Sequence, residues 1–160
     1  MAETVTEVYL GSVGVDSGQL MICDPCYIDS EWEKEDFNPT RTHKNKITGE
    51  TLTWMRDFAN YQEVIPKHSK CMNELNDTGE WEELKVEIKT VHQFSYNACS
   101  KATLSDNGHG QLNFKLGHPG VGVAFRTAHG DGYFPVYAKY TDDGRLLSIE
   151  VIFDDEDDDI

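Results

Sequence analysis

VGVAFRT (residues 121–127), GYFPVYAKY (132–140) and RLLSIEVIF (145–153) follow one another closely along the chain. Gly130-Asp131-Gly132 and Asp142-Asp143-Gly144 stand between them as turn signals. In the last run Leu147, Ile149, Val151 and Phe153 fall at every second position, which puts them on one face of a strand. The three runs read as a three-stranded meander, with Pro135 marking a bulge or a break in pairing.

The same signals recur upstream. Val5–Val15 and Gln19–Cys23 flank Asp16-Ser17-Gly18 and predict a hairpin. Leu84, Val86 and Ile88 alternate with Lys85, Glu87 and Lys89 as in a half-buried strand. Val91–Asn97 and Gln111–Leu116 read as two more strands. Ser30 followed by Glu33 is a capping-box pattern and predicts a short helix over Glu31–Phe37. A second short helix is expected within Ser69–Asn76, ending near Gly79. The expected fold is mainly β, an antiparallel sandwich or strongly bent sheet with one or two short helices. Residues 1–153 are expected to form a single β-rich domain, with 38–52 as a mobile loop and 154–160 as a disordered acidic tail. Trp54, Met55, Phe58, Tyr61, Val64 and Ile65 fit neither the helical nor the strand period.

The chain has 160 residues, 29 acids against 14 bases, and a net charge of −15. Residues 1–40 and 141–160 each carry nine acids and one base, so the excess sits at the two ends. Such a field repels nucleic-acid phosphate and anionic membrane surfaces and attracts basic protein. No apolar run approaches the ~20 residues of a bilayer crossing. The opening MAETVTEVYL lacks a basic start and an apolar core, so a cytoplasmic location is expected.

Catalytic templates are lacking: there is no GxSxG, no GxxxxGK[ST] and no HExxH. Cys23-Asp24-Pro25-Cys26 is an isolated CxxC, and Cys71 and Cys99 bring no second pair at metal-site spacing. The four thiols are expected to be structural, with no cofactor, no metal and no catalytic residue. His109, His118 and His129 read as turn histidines, and Asp16, Asp24 and Asp131 as turn aspartates. An alternative is a small-molecule- or metal-binding domain or a hydrolase, with Asp16, Asp24, Cys26, His129 and Asp131 around one pocket.

GVDSGQ (14–19) leading to DPCY (24–27), FSYNAC (94–99), and GDGYFPVY (130–137) leading to DGR (143–145) resemble the signatures of a family of small bacterial and phage proteins of unknown function. The resemblance covers about the first 30 and the last 70 residues. It implies a β-rich domain and no established activity; a phage origin implies an inhibitor of a host factor.

The expected function is therefore binding of another protein through acidic surface. Adjacent carboxylates can approximate the phosphate spacing of DNA, about one charge per 3.4 Å of strand. The chain reads as a DNA mimic that occupies the cleft of a basic DNA-binding protein, such as a histone-like nucleoid protein of the HU type. Asp29, Glu31, Glu33, Glu35 and Asp36 are the expected contact residues, with Trp32 as an apolar anchor. Asp154, Asp155, Glu156, Asp157, Asp158 and Asp159 are expected to steer the encounter.

Overall fold

A computed structural model describes residues 4–154. In chain order the elements are β1 (Val5–Val15), β2 (Gln19–Cys23), α1 (Cys26–Ser30), β3 (Pro39–Thr40), β4 (Thr42–Asn45), β5 (Thr51–Thr53), β6 (Val64–Ile65) and β7 (Lys70–Cys71). They continue with α2 (Met72–Asp77), β8 (Trp81–Glu83), β9 (Glu87–Ile88), α3 (Tyr96–Thr103), β10 (His109–Asn113), β11 (Pro119–Arg126), β12 (Gly132–Thr141) and β13 (Leu146–Val151). The fold is mainly β, every strand pair is antiparallel, and three short helices accompany the strands.

A two-strand ribbon bent at one corner organises the molecule. β1 pairs with β12 from Val5↔Thr141 to Val15↔Gly132, and β2 pairs with β11 from Gln19↔Arg126 to Cys23↔Gly122. Between these ladders the chain turns a corner, with residues 16–18 facing 127–131. β13 extends the first arm beside β12, and β10 extends the second beside β11. Two expectations are corrected here. Asp16-Ser17-Gly18 does not close a hairpin, because β1 and β2 lie in different arms. Likewise β11 and β12 are consecutive pieces of one bent path, so only β12–β13 remains of the meander. Gly and Asp supply positive φ and local hydrogen bonds, and these serve a corner as well as a reversal.

The corner is held by its own polar groups. The Gly18 N–H donates to Asp131 Oδ1 at 2.8 Å, and the Thr127 N–H donates to the Gly18 carbonyl at 3.0 Å. Gly18 has φ +65°, and a Cβ there would lie 3.6 Å from Gly130 Cα. The contact is an ordinary one, so a side chain at Gly18 would be opposed by left-handed strain and not by lack of space. Pro135 sits within the ladder opposite Ser12, and the register shift falls instead between Tyr9 and Gly11.

α3 covers one face of the β10-β11-β2 arm. Phe94, Ala98, Cys99, Leu112, Val121 and Ala124 form that core. Val91–Asn97, expected as a strand, leads instead into α3. Ser95 ends the extended segment and accepts the Ala98 N–H at 3.1 Å, an N-cap that starts the helix.

A second core lies in residues 42–83. Leu52, Phe58, Ile65, Met72, Leu75 and Trp81 pack together beneath the β5-β4-β8 sheet, the β6–β7 pair and α2. Residues 38–52, expected as a mobile loop, carry β3, β4 and β5 and bury His43 and Asn45. The helix expected in Ser69–Asn76 is α2. Its start is a capping box in which Glu74 accepts the Cys71 N–H at 2.8 Å.

Asp131→Ala removes the acceptor at the corner and should lower the unfolding free energy by about 1 kcal/mol. Asp131→Asn keeps an acceptor and should lose less. Thermal melts of both variants check the order; equal melting temperatures for Asp131→Ala and the parent would show that the corner does not depend on this bond.

Candidate functional site

The acidic segment after β2 folds differently from its capping-box reading. Asp24 Oδ1 accepts the Cys26 N–H at 3.0 Å, and Pro25 needs no donor at a helix start. The helix therefore forms over Cys26–Ser30 as α1, not over Glu31–Phe37. Beyond it the chain is extended. Glu33 bridges to Ser95, with its N–H donating to the Phe94 carbonyl at 2.9 Å.

That extension decides what the acids touch. Glu31 Oε2 accepts the backbone N–H of Lys115 at 2.8 Å. Glu33 forms an ion pair with the Lys115 ammonium at 2.8 Å, while that ammonium also donates to the Ser30 carbonyl. The hydrogen bond and charge of Lys115 hold the Glu33 carboxyl below the ordinary range, and the Lys115 ammonium is raised in return. Glu35 accepts from Ser95 and, at 2.6 Å, from Thr90. Burial works to raise the Glu35 pKa, but the Ser95 and Thr90 bonds, with lesser help from His92 and Asn97, together outweigh it and the carboxyl is lowered. Trp32 is half-buried, edge-on to Phe94 with centroids 5.0 Å apart, so it belongs to the core and not to an exposed anchor.

Glu31, Glu33 and Glu35 are thus three staples that fasten the segment to 90–97 and to the Phe114–His118 turn. Asp29 and Asp36 are exposed, and among the described residues their carboxylates have no hydrogen-bond or ion-pair partner. Asp154 faces His129 at 3.2 Å. Asp155, Glu156, Asp157, Asp158 and Asp159 lie outside the described residues. The sequence reading missed Lys115, Thr90 and Ser95. The spacing of Glu31, Glu33 and Glu35 is a strand period, and it could have revealed one shared side.

The two aspartate motifs do not form one pocket. Asp16, His129 and Asp131 lie at the corner, before β2. Asp24 and Cys26 lie past its other end, after five residues that span about 16 Å of strand. Among the described residues no group of three His, Cys, Asp or Glu side chains is placed to hold a metal ion. His118 stacks on Phe114 at 4.4 Å.

The thiols fit structural roles. Cys99 is buried beside the Met21 sulfur at 3.7 Å, and burial with the neighbouring Cys23 pushes it up to about 11. Cys26 is exposed, but its hydrogen bond to Asp24 pushes its pKa up as well. Reactive thiols need the opposite shift.

The inner side of the bend carries a run of apolar side chains. On the β10-β11-β2 arm, Met21 and Cys23 face α3, so Leu20, Ile22, Val123 and Phe125 face the other way. On the second arm Val8, Ala138 and Ile149 stand in register on one face, with Phe134 and Val136. Phe153 joins the two sets in the crease, 6.1 Å from Phe125 and 5.1 Å from Phe134 between centroids. Away from the crease this apolar trough is open: Ile22 is 66%, Ile149 50% and Val8 40% exposed. Asp142 and Asp143 lie at one end of it, and Asp16, Asp131 and Asp154 at the corner.

The chain matches no protein-family model, no curated protein and no solved structure.

Two measurements follow from these bonds. Because the Glu35 carboxyl is lowered in the folded chain, its contribution is complete above the ordinary value of 4.5 and is lost as pH falls through the lowered value. Glu35→Gln should reduce the melting temperature at pH 7 and flatten its decline between pH 5 and 3. Asp24→Ala should speed iodoacetamide alkylation of Cys26 at pH 8, because the thiol loses the acceptor that favours its protonated form. A slower or unchanged rate would contradict that coupling.

Proposed function

We propose that this chain is a cytoplasmic protein-binding protein that captures a basic, DNA-binding partner. The observation that carries the reading is the apolar trough with acids at one end and at its crease. An uncovered apolar face on a chain of net charge −15 fits a partner that supplies apolar side chains and a surplus of Lys and Arg. The residue that fills the crease, Phe153, is followed directly by six acids in the sequence. Long-range attraction steers the partner, and burial in the trough holds it.

In its specific form this is DNA mimicry, with carboxylates taking the place of phosphates in the cleft of a histone-like nucleoid protein of the HU type. A phage-encoded inhibitor of such a host protein has this character. The contact carboxylates in this reading are Asp16, Asp131, Asp142, Asp143 and the 154–159 run, joined by Asp29 and Asp36. The glutamates at 31, 33 and 35 act instead on the chain's own stability.

Titration of a purified HU-type protein with the full chain tests this. Binding should weaken by at least about tenfold between 0.05 and 0.5 M NaCl, and duplex DNA should compete. Ile22→Ser with Ile149→Ser should weaken binding at unchanged melting temperature, whereas Glu33→Gln should lower the melting temperature and leave affinity nearly unchanged. A complex indifferent to salt overturns the reading.

A further inference from the structure

On the far side of α3 from the sheet, the charge pattern reverses. A cleft of about 410 Å³ runs between α3 and residues 85–89. Lys85, Val86, Ile88 and Lys89 line one wall, and Lys101 and Leu104 the other. Three of the 14 basic residues therefore converge on one cleft of a chain with net charge −15. The volume lies within the ~300–1,000 Å³ range of small-molecule sites.

Two of these three lysines are not spent on neighbours. Among the described residues, Arg41 is paired with Glu83, Arg56 with Asp57, Lys67 with Glu50, Lys115 with Glu33 and Lys139 with Glu150, and the other cations outside the cleft stand singly along the surface. In the cleft, Lys85 meets Asp106 at 3.0 Å. Lys89 and Lys101 have no carboxylate within ion-pair distance among the described residues, although Glu87 also lines the cleft. Both lysines line the adjoining cleft as well, with Glu35, Thr90 and Asn97. They stand at the border of two hollows, with long apolar stems available to line them and ammonium groups free to meet an anion.

We propose that this cleft binds a small amphipathic monocarboxylate, a free carboxylic acid with a short hydrocarbon body. Val86, Ile88 and the half-exposed Leu104 take the hydrocarbon, and the ammonium groups of Lys89 and Lys101 take the carboxylate. The remainder of the acidic surface repels such an anion, so the cleft is where both halves of the ligand are satisfied together. The site is separate from the trough and acts independently of the partner described above.

Chemical-shift perturbation of the ¹⁵N-labelled full chain tests it, with decanoate as the probe. Decanoate should move the amides of residues 86–89 and 101–104, while acetate, which lacks the body, should leave them in place. Decyltrimethylammonium, with the same body and the opposite charge, should bind at least about tenfold more weakly. Lys89→Gln with Lys101→Gln should weaken decanoate by about tenfold, as two partly exposed ion pairs allow. The melting temperature of that variant should hold, because neither lysine has a partner to lose, and Leu104→Ser should weaken decanoate as well. The proposal is overturned if the cationic probe binds as tightly as decanoate, if the double variant binds unchanged, or if the shifts fall on Val8, Ile22 and Ile149 instead.

Discussion

The bend at residues 16–18 and 127–131 rests on one carboxylate facing one backbone amide. Where a ribbon turns between two sheet arms, ladder hydrogen bonds stop and backbone groups need other partners. Asp131 supplies the Gly18 amide with an acceptor, and the Gly18 carbonyl takes the Thr127 amide. Everything that follows depends on the angle so fixed. It sets the inner faces of the two arms toward each other, brings Phe125 and Phe134 to either side of Phe153, and leaves the outer ends of the trough uncovered.

The acids of this chain divide into two populations with different physics. Glu31, Glu33 and Glu35 are internal fasteners whose charge is met by Lys115 or by hydroxyl donors. Ser95 is the hinge of that arrangement, because one hydroxyl both meets Glu35 and caps α3. Asp131 and Asp143 belong with these glutamates, bonded to the Gly18 amide and the Thr141 hydroxyl, whereas Asp16, Asp29, Asp36 and Asp142 lie exposed on the surface, where carboxylates stay hydrated and act at a distance. A composition count sums these two groups, and only the fold separates them.

Strand content was legible because period-two alternation and Gly/Asp turn signals are local. β12, β13 and α2 appear close to where their residues predict them. Pairing was not legible: Asp16-Ser17-Gly18 has the chemistry of a reversal, and its use as a corner depends on Asp131, more than a hundred residues away. The stretch from Trp54 to Ile65 resisted reading because it is mostly turns. Trp54 and Phe58 bridge across a tight loop in which Met55 takes φ 65°, so no period survives. For the candidate sites, the acidic character was visible in the composition. Lys115 and Thr90 as partners of the glutamates were not, since both contacts come from distant loops. The grouping of Lys85, Lys89 and Lys101 needs α3 to lie across residues 85–89, which strand periodicity alone does not show.

The pairing of Val15 with Gly132 has a consequence for synthesis. β1 and β2 are made long before their partners β12 and β11. Loop closure over that length is slow, and unpaired apolar strands invite wrong contacts while they wait. The 42–83 segment closes through pairs near in sequence, such as Thr42↔Thr53 and Val64↔Cys71, and can settle while the chain is still growing. A nascent chain of this protein thus carries a finished middle between two unfinished ends.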